Sequence, residues 1–419
     1  MKSRWNDGDA EAWINGASSE ADRDLRLRVY TSRLIGQDPE LVLHGGGNTS
    51  VKTVRDWGGA GSRPVLHVKG SGWDLDSIEE PGLPALDLEA LVGARQKPPM
   101  DDPEMVSFLR ENLMDPSSPN PSVETLLHAF LPGKFVDHSH ATSILVLANQ
   151  PNASAIGAEV FGDRLALVPY VMPGYDLSIE AAKIYHDNPD CEGLWLDNHG
   201  LFTFGETARE SYERMITFVT MAEDYLATHG ASLAPALTSE GSDPAADAFA
   251  SVLTSAVSEL FPEMGGVCLD FRTDANIRRY LELRDLEEVS ARGTITPDHV
   301  IRVKPRPVVF EKDQGQSAVV NALTASASWY RDYFTRNAGR ASEPKTMLDP
   351  APRVALVRGL GLFGLGKTAK EASIAADLAV QGARVIEAAE AYGTYRPIAE
   401  PDLFDMEYWS LEQAKLKNG

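Results

Sequence analysis

Two stretches of this chain repeat one another: residues 197–210 read DNHGLFTFGETARE, and residues 358–371 read RGLGLFGLGKTAKE. Seven identical residues recur between them at an offset of 161 positions, and the same offset places Asp137-His138 on Asp298-His299. Self-similarity at one fixed spacing is the signature of a duplicated unit. We therefore predict two copies of one α/β unit, over residues 1–235 and 240–419.

The two copies differ in the residues that could carry chemistry. At the repeat offset, His140 aligns with Ile301 and His199 aligns with Leu360, while His299 is left as an isolated histidine. Since the second copy lacks these imidazoles, we predict that it is degenerate and structural. A small, polar stretch at residues 230–248 is typical of a connection between the copies, and residues 337–352 of a long loop.

Hydrophobic periodicity predicts alternating strands and helices in the first copy, and this alternation is typical of an α/β fold. Ser122 is placed as the N-cap of a helix that carries Glu124 and His128 on one face. The predicted helices cover residues 25–35, 122–130, 141–149 and 208–227, and the predicted strands cover residues 41–43, 64–69, 135–140 and 193–197.

Composition excludes several classes of function. The 419 residues include 39 Lys and Arg against 61 Asp and Glu, a net charge of −22, which disfavours nucleic acids and anionic membrane surfaces. We find no apolar run of the roughly 20 residues that span a bilayer. The two cysteines, Cys191 and Cys268, are too few for a disulfide framework. These features predict a cytoplasmic protein.

Three histidines form a candidate metal site. His138 and His140 are two positions apart, so on a strand both side chains leave the same face. Neutral imidazoles side by side can bind a divalent cation such as zinc. His199 follows a predicted buried strand and could supply a third ligand, which leaves an open coordination position for substrate.

Two glycine-rich segments form a candidate anion site. Residues 44–50 read HGGGNTS and residues 68–72 read VKGSG, which includes Lys69. Successive backbone N–H groups in such segments can bind phosphate or another anion.

A third glycine-rich segment matches nucleotide-binding motifs, but the match is misleading. Residues 361–368 read GLFGLGKT, which fits the phosphate-binding pattern G-x-x-x-x-G-K-[ST], and residues 359–364 fit G-x-G-x-x-G. The equivalent stretch of the first copy has the same frame without the lysine, and Leu362 and Phe363 are bulky for a phosphate site. We therefore predict no nucleotide site there.

Taken together, the motifs resemble the class II aldolase/adducin family. The resemblance rests on G-N-x-S at residues 47–50, the Ser71-Gly72 turn, S-x-E-x-x-x-H at residues 122–128, H-x-H at residues 138–140 and HG at residues 199–200. It implies a three-layer α/β/α sandwich, present here as an active copy and a degenerate copy.

Within that family, PSVETLLHAF and KFVDHSHA are most similar to segments in the aldolase half of bifunctional rhamnulose-1-phosphate aldolase/alcohol dehydrogenases. In those proteins a dehydrogenase domain follows a segment like residues 407–416. Because the sequence ends at Gly419, we expect the dehydrogenase domain to be absent.

The resemblance also assigns roles to individual residues. It implies that Glu124 is the catalytic carboxylate. It implies zinc, or another divalent metal, as the cofactor, with ligands His138, His140 and His199. The positions that match the family's phosphate-binding residues are Asn48, Ser71, Gly72 and Ser122. Lys69 could compensate for Val123, which stands where the family often has a second serine.

The implied activity is cleavage of a ketose 1-phosphate, similar to rhamnulose 1-phosphate, into dihydroxyacetone phosphate and an aldehyde. The metal would act as a Lewis acid while Glu124 moves the proton to and from the carbon. The alternatives are a metal-dependent epimerase or other lyase of the same family, and a catalytically silent sugar-phosphate binding or scaffold protein. The family's sites lie near subunit interfaces, so we expect a homo-oligomer.

Overall fold

In the computed structural model, which describes residues 1–58, 61–231, 233, 243–341 and 343–410, the chain forms two compact units. The first comprises residues 1–148 and 152–228, and the second comprises residues 149–151 and 229–419. Each unit contains a mixed β-sheet with helices, which confirms the predicted α/β class. Most of the predicted connection at residues 230–248, and most of residues 407–416, lie outside the described residues.

The first unit is built on a seven-stranded sheet with the order β3-β2-β1-β4-β7-β6-β5. Neighbouring strands are antiparallel except for β5 and β6, which are parallel. The strands are β1 (Asn48–Asp56), β2 (Ser62–Val68), β3 (Ala85–Asp87), β4 (Phe135–Ser139), β5 (Leu165–Val168), β6 (Gly193–Leu196) and β7 (Gly200–Gly205). The helices are α1 (Asp7–Ile14), α2 (Glu20–Gly36), α3 (Leu88–Gly93), α4 (Asp102–Glu111), α5 (Thr125–Phe130), α6 (Thr142–Ala148), α7 (Ala153–Phe161), α8 (Tyr175–Asp187) and α9 (Ala208–Thr228).

Side chains of β4 alternate between the two faces of this sheet, as strand geometry requires. Val136 belongs to a buried apolar cluster with Leu127 of α5 and with residues of α8, so these helices cover one face. Asp137 faces the other side, where Ser211 of α9 donates a hydrogen bond to its carboxylate. Arg28 of α2 pairs with the same carboxylate. Helices on both faces confirm the three-layer α/β/α arrangement.

The Arg28–Asp137 ion pair is completely buried, with 2.5 Å between guanidinium and carboxylate. The guanidinium also donates hydrogen bonds to the carbonyl oxygens of Ser50 in β1 and Val136 in β4. Burial lowers the pKa of Arg28, and the charge of Asp137 opposes that shift. One buried cation therefore connects α2 to two adjacent strands.

The second unit is built on a smaller sheet with the order β8-β11-β10-β9. In this sheet β9 and β10 are parallel and the other pairs are antiparallel. The strands are β8 (Cys268–Arg272), β9 (Val308–Glu311), β10 (Val354–Arg358) and β11 (Gly361–Gly366). The helices are α10 (Pro244–Leu260), α11 (Ala275–Leu281), α12 (Leu286–Ser290), α13 (His299–Val303), α14 (Gln316–Ala338), α15 (Ala369–Tyr392) and α16 (Glu400–Glu407).

The repeat that first indicated duplication forms the same structure in both units. In each, a two-stranded hairpin leads into a long helix: β6, β7 and α9 in the first unit correspond to β10, β11 and α15 in the second. Thr207 and Thr368 cap these helices by accepting hydrogen bonds from the backbone N–H groups of Glu210 and Glu371. The shared residues therefore encode a hairpin followed by a capped helix.

The predicted correspondence between Asp137-His138 and Asp298-His299 is wrong. Asp298 and His299 lie at the start of the short helix α13, not on a strand. Strand pairing gives the true equivalents: His138 is opposite Phe202 in β4 and β7, and Phe271 is opposite Phe363 in β8 and β11. The offset fails because the paired positions are 64 residues apart in the first unit, from His138 to Phe202, and 92 apart in the second, from Phe271 to Phe363. The longer α14, with 23 residues where α8 has 13, accounts for part of this difference.

Three smaller predictions are also settled. Residues 41–43 form a turn rather than a strand, so the glycine-rich segment precedes β1 instead of following a strand. The helix predicted from residue 122 begins at Thr125 with Glu124 at the N-cap, so Ser122 is not its N-cap. Residues 361–366 form a strand that pairs on both sides, which leaves no phosphate-binding loop at the nucleotide-like string.

We expect Arg28→Met to lower the free energy of unfolding of the first unit by about 3–5 kcal/mol, because it leaves the buried Asp137 without its cation. The matched control is Arg26→Met, which removes a partly exposed ion pair with Glu80 and a hydrogen bond to the carbonyl oxygen of Asn15, and should cost about 1 kcal/mol. Urea unfolding followed by circular dichroism measures both variants. Equal, small losses would show that the buried pair contributes no more than an exposed one.

Candidate metal centre

The structure brings the three predicted histidines together in the first unit. His138 and His140 come from β4 and the residue that follows it, and His199 comes from the turn between β6 and β7. All three are buried, and their ring nitrogens lie within 4.8 Å of one another. Because β4 pairs with β7, the turn that begins β7 is held beside the end of β4.

The orientation of His138 is fixed by contacts on its other side. Its Nδ1 lies 3.1 Å from the carbonyl oxygen of Leu201, so Nδ1–H donates there and leaves the Nε2 lone pair for a cation. The ring stacks on Phe202 with 4.1 Å between centroids. Its Nε2 lies 3.0 Å from Nε2 of His140. This donor set suits a divalent cation that prefers imidazole ligands.

Close packing around the imidazoles explains two of the glycines. A side chain at Gly200 would place its Cβ atom 2.4 Å from the carbonyl oxygen of Ser139 and 3.1 Å from the rings of His138 and His140. At Gly46 the Cβ atom would lie 3.2 Å from Nδ1 of His140. The glycine-rich segment therefore packs against the three-histidine cluster as well as preceding β1.

Glu124 lies beside the three histidines and is buried. Its Oε2 is 3.6 Å from Nε2 of His138, and its Oε1 is 3.8 Å from Nε2 of His199. The side-chain amide of Asn48 donates to Oε2 at 2.6 Å. A carboxylate in this position can exchange a proton with a substrate bound at the histidines.

The predicted phosphate residues fall into two groups. Asn48, Lys69 and Ser122 lie together: Asn48 donates to the Ser122 hydroxyl at 3.2 Å, and the backbone of Lys69 accepts a hydrogen bond from the N–H of Ser122. Lys69 is buried, and its ammonium donates to the carbonyl oxygen of Gly45. Ser71 and Gly72 lie in an exposed turn two positions further along the chain. Their role in phosphate binding stays a prediction.

Sequence reasoning placed His128 on the face of Glu124 but gave it no role. In the structure its Nε2 contacts the amide oxygen of Asn48, and its Nδ1 lies 2.8 Å from the hydroxyl of Ser50. Asn48 and Ser50 are alternate residues of β1, so their side chains leave the same face, toward α5. The two-residue spacing of Asn48 and Ser50 was the feature of the sequence that could have indicated their shared contact with His128.

The equivalent position in the second unit is filled by other side chains. Phe271 takes the place of His138 and contacts Phe363 at 4.9 Å between ring centroids. Thr273 takes the place of His140, and its hydroxyl donates to the carbonyl oxygen of Leu360. The imidazole of His299 contacts Thr296 and Gln381 instead of a metal cluster. Among the residues that the structure describes, the three histidines of the first unit form the one cluster of potential ligands that could hold a metal ion.

Sequence comparison assigns the family. Residues 26–226 match the description "Class II Aldolase and Adducin N-terminal domain", and residues 244–416 match "Aldolase class II, second domain". The chain therefore belongs to the class II aldolase family.

Individual relatives cover different parts of the chain. The "Uncharacterized oxidoreductase YuxG" of Bacillus subtilis (strain 168) is 30% identical over 96% of this chain, which spans 60% of that relative's length. A solved N-terminal class II aldolase domain of a conserved protein from Thermoplasma acidophilum is 40% identical, with a TM-score of 0.48, over 54% of this chain and 99% of that chain. An L-fuculose-1-phosphate aldolase from Thermus thermophilus is 17% identical, with a TM-score of 0.32, over 48% of this chain and 95% of that chain.

No helix in the described part of the chain has both the length and the apolar character needed to cross a lipid bilayer.

We expect Gly200→Ala to weaken binding of a divalent metal by about 10- to 100-fold, since the new methyl group displaces His138 or His140. The matched control is Gly93→Ala, where a Cβ atom meets nothing within 4 Å. Metal affinity is measured by competition with a chromophoric chelator. Unchanged affinity in Gly200→Ala would show that close packing does not hold the imidazoles in place.

Proposed function

We propose that this protein is a metal-dependent class II aldolase that cleaves a ketose 1-phosphate into dihydroxyacetone phosphate and an aldehyde. The observation that carries the proposal is the position of Glu124, whose two oxygens lie 3.6 and 3.8 Å from ring nitrogens of two of the three histidines. Family membership supports lyase chemistry at this site.

His138, His140 and His199 would hold the cation, with zinc as the first candidate because the donors are neutral imidazoles. A divalent cation bound there supplies Lewis-acid stabilisation of negative charge on substrate oxygens. Ligands from both β4 and the β6–β7 turn would hold it at a fixed place beside Glu124.

Glu124 would move the proton that the reaction requires. When the C3–C4 bond breaks, its electron pair stays on C3, the C4 hydroxyl loses its proton to solvent, and C4 becomes the aldehyde carbon. Glu124 then delivers a proton to C3, which completes dihydroxyacetone phosphate, and removes it in the condensation direction. Burial among histidines keeps bulk water from competing for that proton.

Lys69, with Asn48, Ser71, Gly72 and Ser122, would bind the phosphate group. A buried ammonium is a strong donor to a phosphate oxygen, and its position next to Ser122 supports that role. The net charge of −22 makes such a local cation important for an anionic substrate.

Rhamnulose 1-phosphate is the first substrate to test. The motifs PSVETLLHAF and KFVDHSHA resemble the aldolase half of bifunctional proteins that act on it. The longer relative from Bacillus subtilis, which is named as an oxidoreductase, is in keeping with that resemblance. We further propose a cytoplasmic homo-oligomer with sites near subunit interfaces, and no nucleic-acid or membrane partner.

We expect the protein to release dihydroxyacetone phosphate from rhamnulose 1-phosphate or fuculose 1-phosphate, and a chelator to abolish release. Glu124→Gln should lower kcat by at least about 100-fold with metal retained, because the amide cannot transfer the proton. Glu89→Gln, an exposed change, is the control. An isomeric sugar phosphate as product would identify an epimerase, and a metal-free protein without product would identify a binding or scaffold protein.

We expect Lys69→Met to raise KM for the phosphorylated sugar by at least about 10-fold, since it removes a charge-assisted contact to phosphate. KM for the unphosphorylated ketose should not change. Lys183→Met removes an exposed ammonium and is the control. Equal effects on both sugars would contradict a phosphate role for Lys69.

A further inference from the structure

A line of hydrogen bonds runs from Ser50 to the catalytic carboxylate. The Ser50 hydroxyl lies 2.8 Å from Nδ1 of His128, Nε2 of His128 contacts Oδ1 of Asn48, and Nδ2 of Asn48 lies 2.6 Å from Oε2 of Glu124. Ser50 and His128 are fully buried, while Asn48 and Glu124 are 6% and 5% exposed. Water therefore has little access to substitute for any member of the line.

The chemistry of the groups fixes the direction of every bond. A carboxylate only accepts, so Asn48 must present its NH₂ group to Glu124 and its oxygen to His128. His128 must then carry a hydrogen on Nε2. Burial, reinforced by the charges of Arg28 and Lys52, lowers the pKa of His128 well below its usual value, so the ring is neutral. A neutral ring with hydrogen on Nε2 accepts from Ser50 at Nδ1.

We propose that His128 is a positioning residue that sets the orientation of the Asn48 amide and, through it, the orientation of Glu124. This inference rests on the proposed function. An amide turned by 180° would place its oxygen against the carboxylate, and the two acceptors would repel. With the Nε2 hydrogen of His128 opposite the amide oxygen, only the orientation that donates to Glu124 satisfies both neighbours.

The position of His128 separates this role from metal binding and from simple packing. The three metal-site histidines lie on the β4 and β6–β7 side of Glu124, whereas His128 approaches from α5 and contacts Asn48. Its ring also packs edge-on against Phe202, at 5.4 Å between centroids. A phenylalanine can keep that packing but cannot donate to Asn48, so the two contributions can be tested apart.

Kinetics of His128→Phe and His128→Gln test the proposal. We expect His128→Phe to lower kcat for ketose 1-phosphate cleavage by about 10- to 100-fold, with metal content retained and KM within about twofold. His128→Gln should recover part of that loss, because its amide can donate to Asn48. His67→Phe, another buried histidine of the sheet with no link to Glu124, controls for loss of a buried ring and should leave kcat unchanged.

Two kinetic outcomes would overturn the proposal. Full activity in His128→Phe would show that the amide of Asn48 needs no support from the ring. Equal losses in His128→Phe and His128→Gln, with kcat falling in proportion to the folded fraction, would reduce His128 to a packing residue.

An activity-independent measurement separates this proposal from the aldolase assignment. In protein labelled with ¹⁵N-histidine, two-bond ¹H–¹⁵N correlation spectra report the tautomer of each ring, and the peaks lost in His128→Gln assign His128. We expect a neutral ring protonated at Nε2. A ring protonated at Nδ1 would overturn the positioning role whatever the enzyme does. Observation of the Nε2–H tautomer in a protein that cleaves neither sugar phosphate would support the hydrogen-bond line and contradict the aldolase assignment instead.

Discussion

The buried ion pair between Arg28 and Asp137 is the constraint on which the rest of the first unit depends. β4 is an interior strand with two covered faces, and its successive residues Asp137 and His138 leave opposite faces. Whatever fixes Asp137 therefore also fixes where His138 points. Arg28 holds Asp137 on the α2 side while donating to backbone carbonyls of β1 and β4, so one cation supports both the strand register and the face that carries His138.

The two faces of the sheet are stabilised by different interactions, an ion pair on one and close packing on the other. On the α2 and α9 side, one cation and one carboxylate neutralise each other without solvent, and desolvation makes that arrangement costly unless every partner is present. On the α5 side, the imidazole of His138 stacks on the apolar ring of Phe202, and the carboxylate of Glu124 lies near it. Gly200 and Gly46 keep that second face free of side chains that would crowd the rings.

The sequence predicted those parts of the fold and site that depend on local patterns. The strands that hold His138 and precede His199, and the hairpin and capped helix of the repeat, all appear because periodicity and capping act within a few residues. The strand predicted over residues 41–43 is absent because a run of three apolar residues is too short to distinguish a strand from a turn. The predicted match at Asp298-His299 failed because the segments between the paired strands are longer in the second unit, which changes the separation of the strands along the chain without changing their pairing. The link from His128 to Glu124 runs through Asn48, about 80 positions away along the chain, and only tertiary structure brings these side chains into contact.

The pairing of β4 with β7 has a consequence for how the site comes into being. His138 and His140 are neighbours in the chain, but His199 joins them only when Ser139 stands opposite Leu201 and His138 opposite Phe202. A slip of one residue between these strands would turn alternate side chains to the wrong layer. The proposed cation would therefore favour the correct alignment of the sheet. A misregistered chain would offer it two ligands, whereas a correctly aligned chain would offer three and gain the additional free energy of binding.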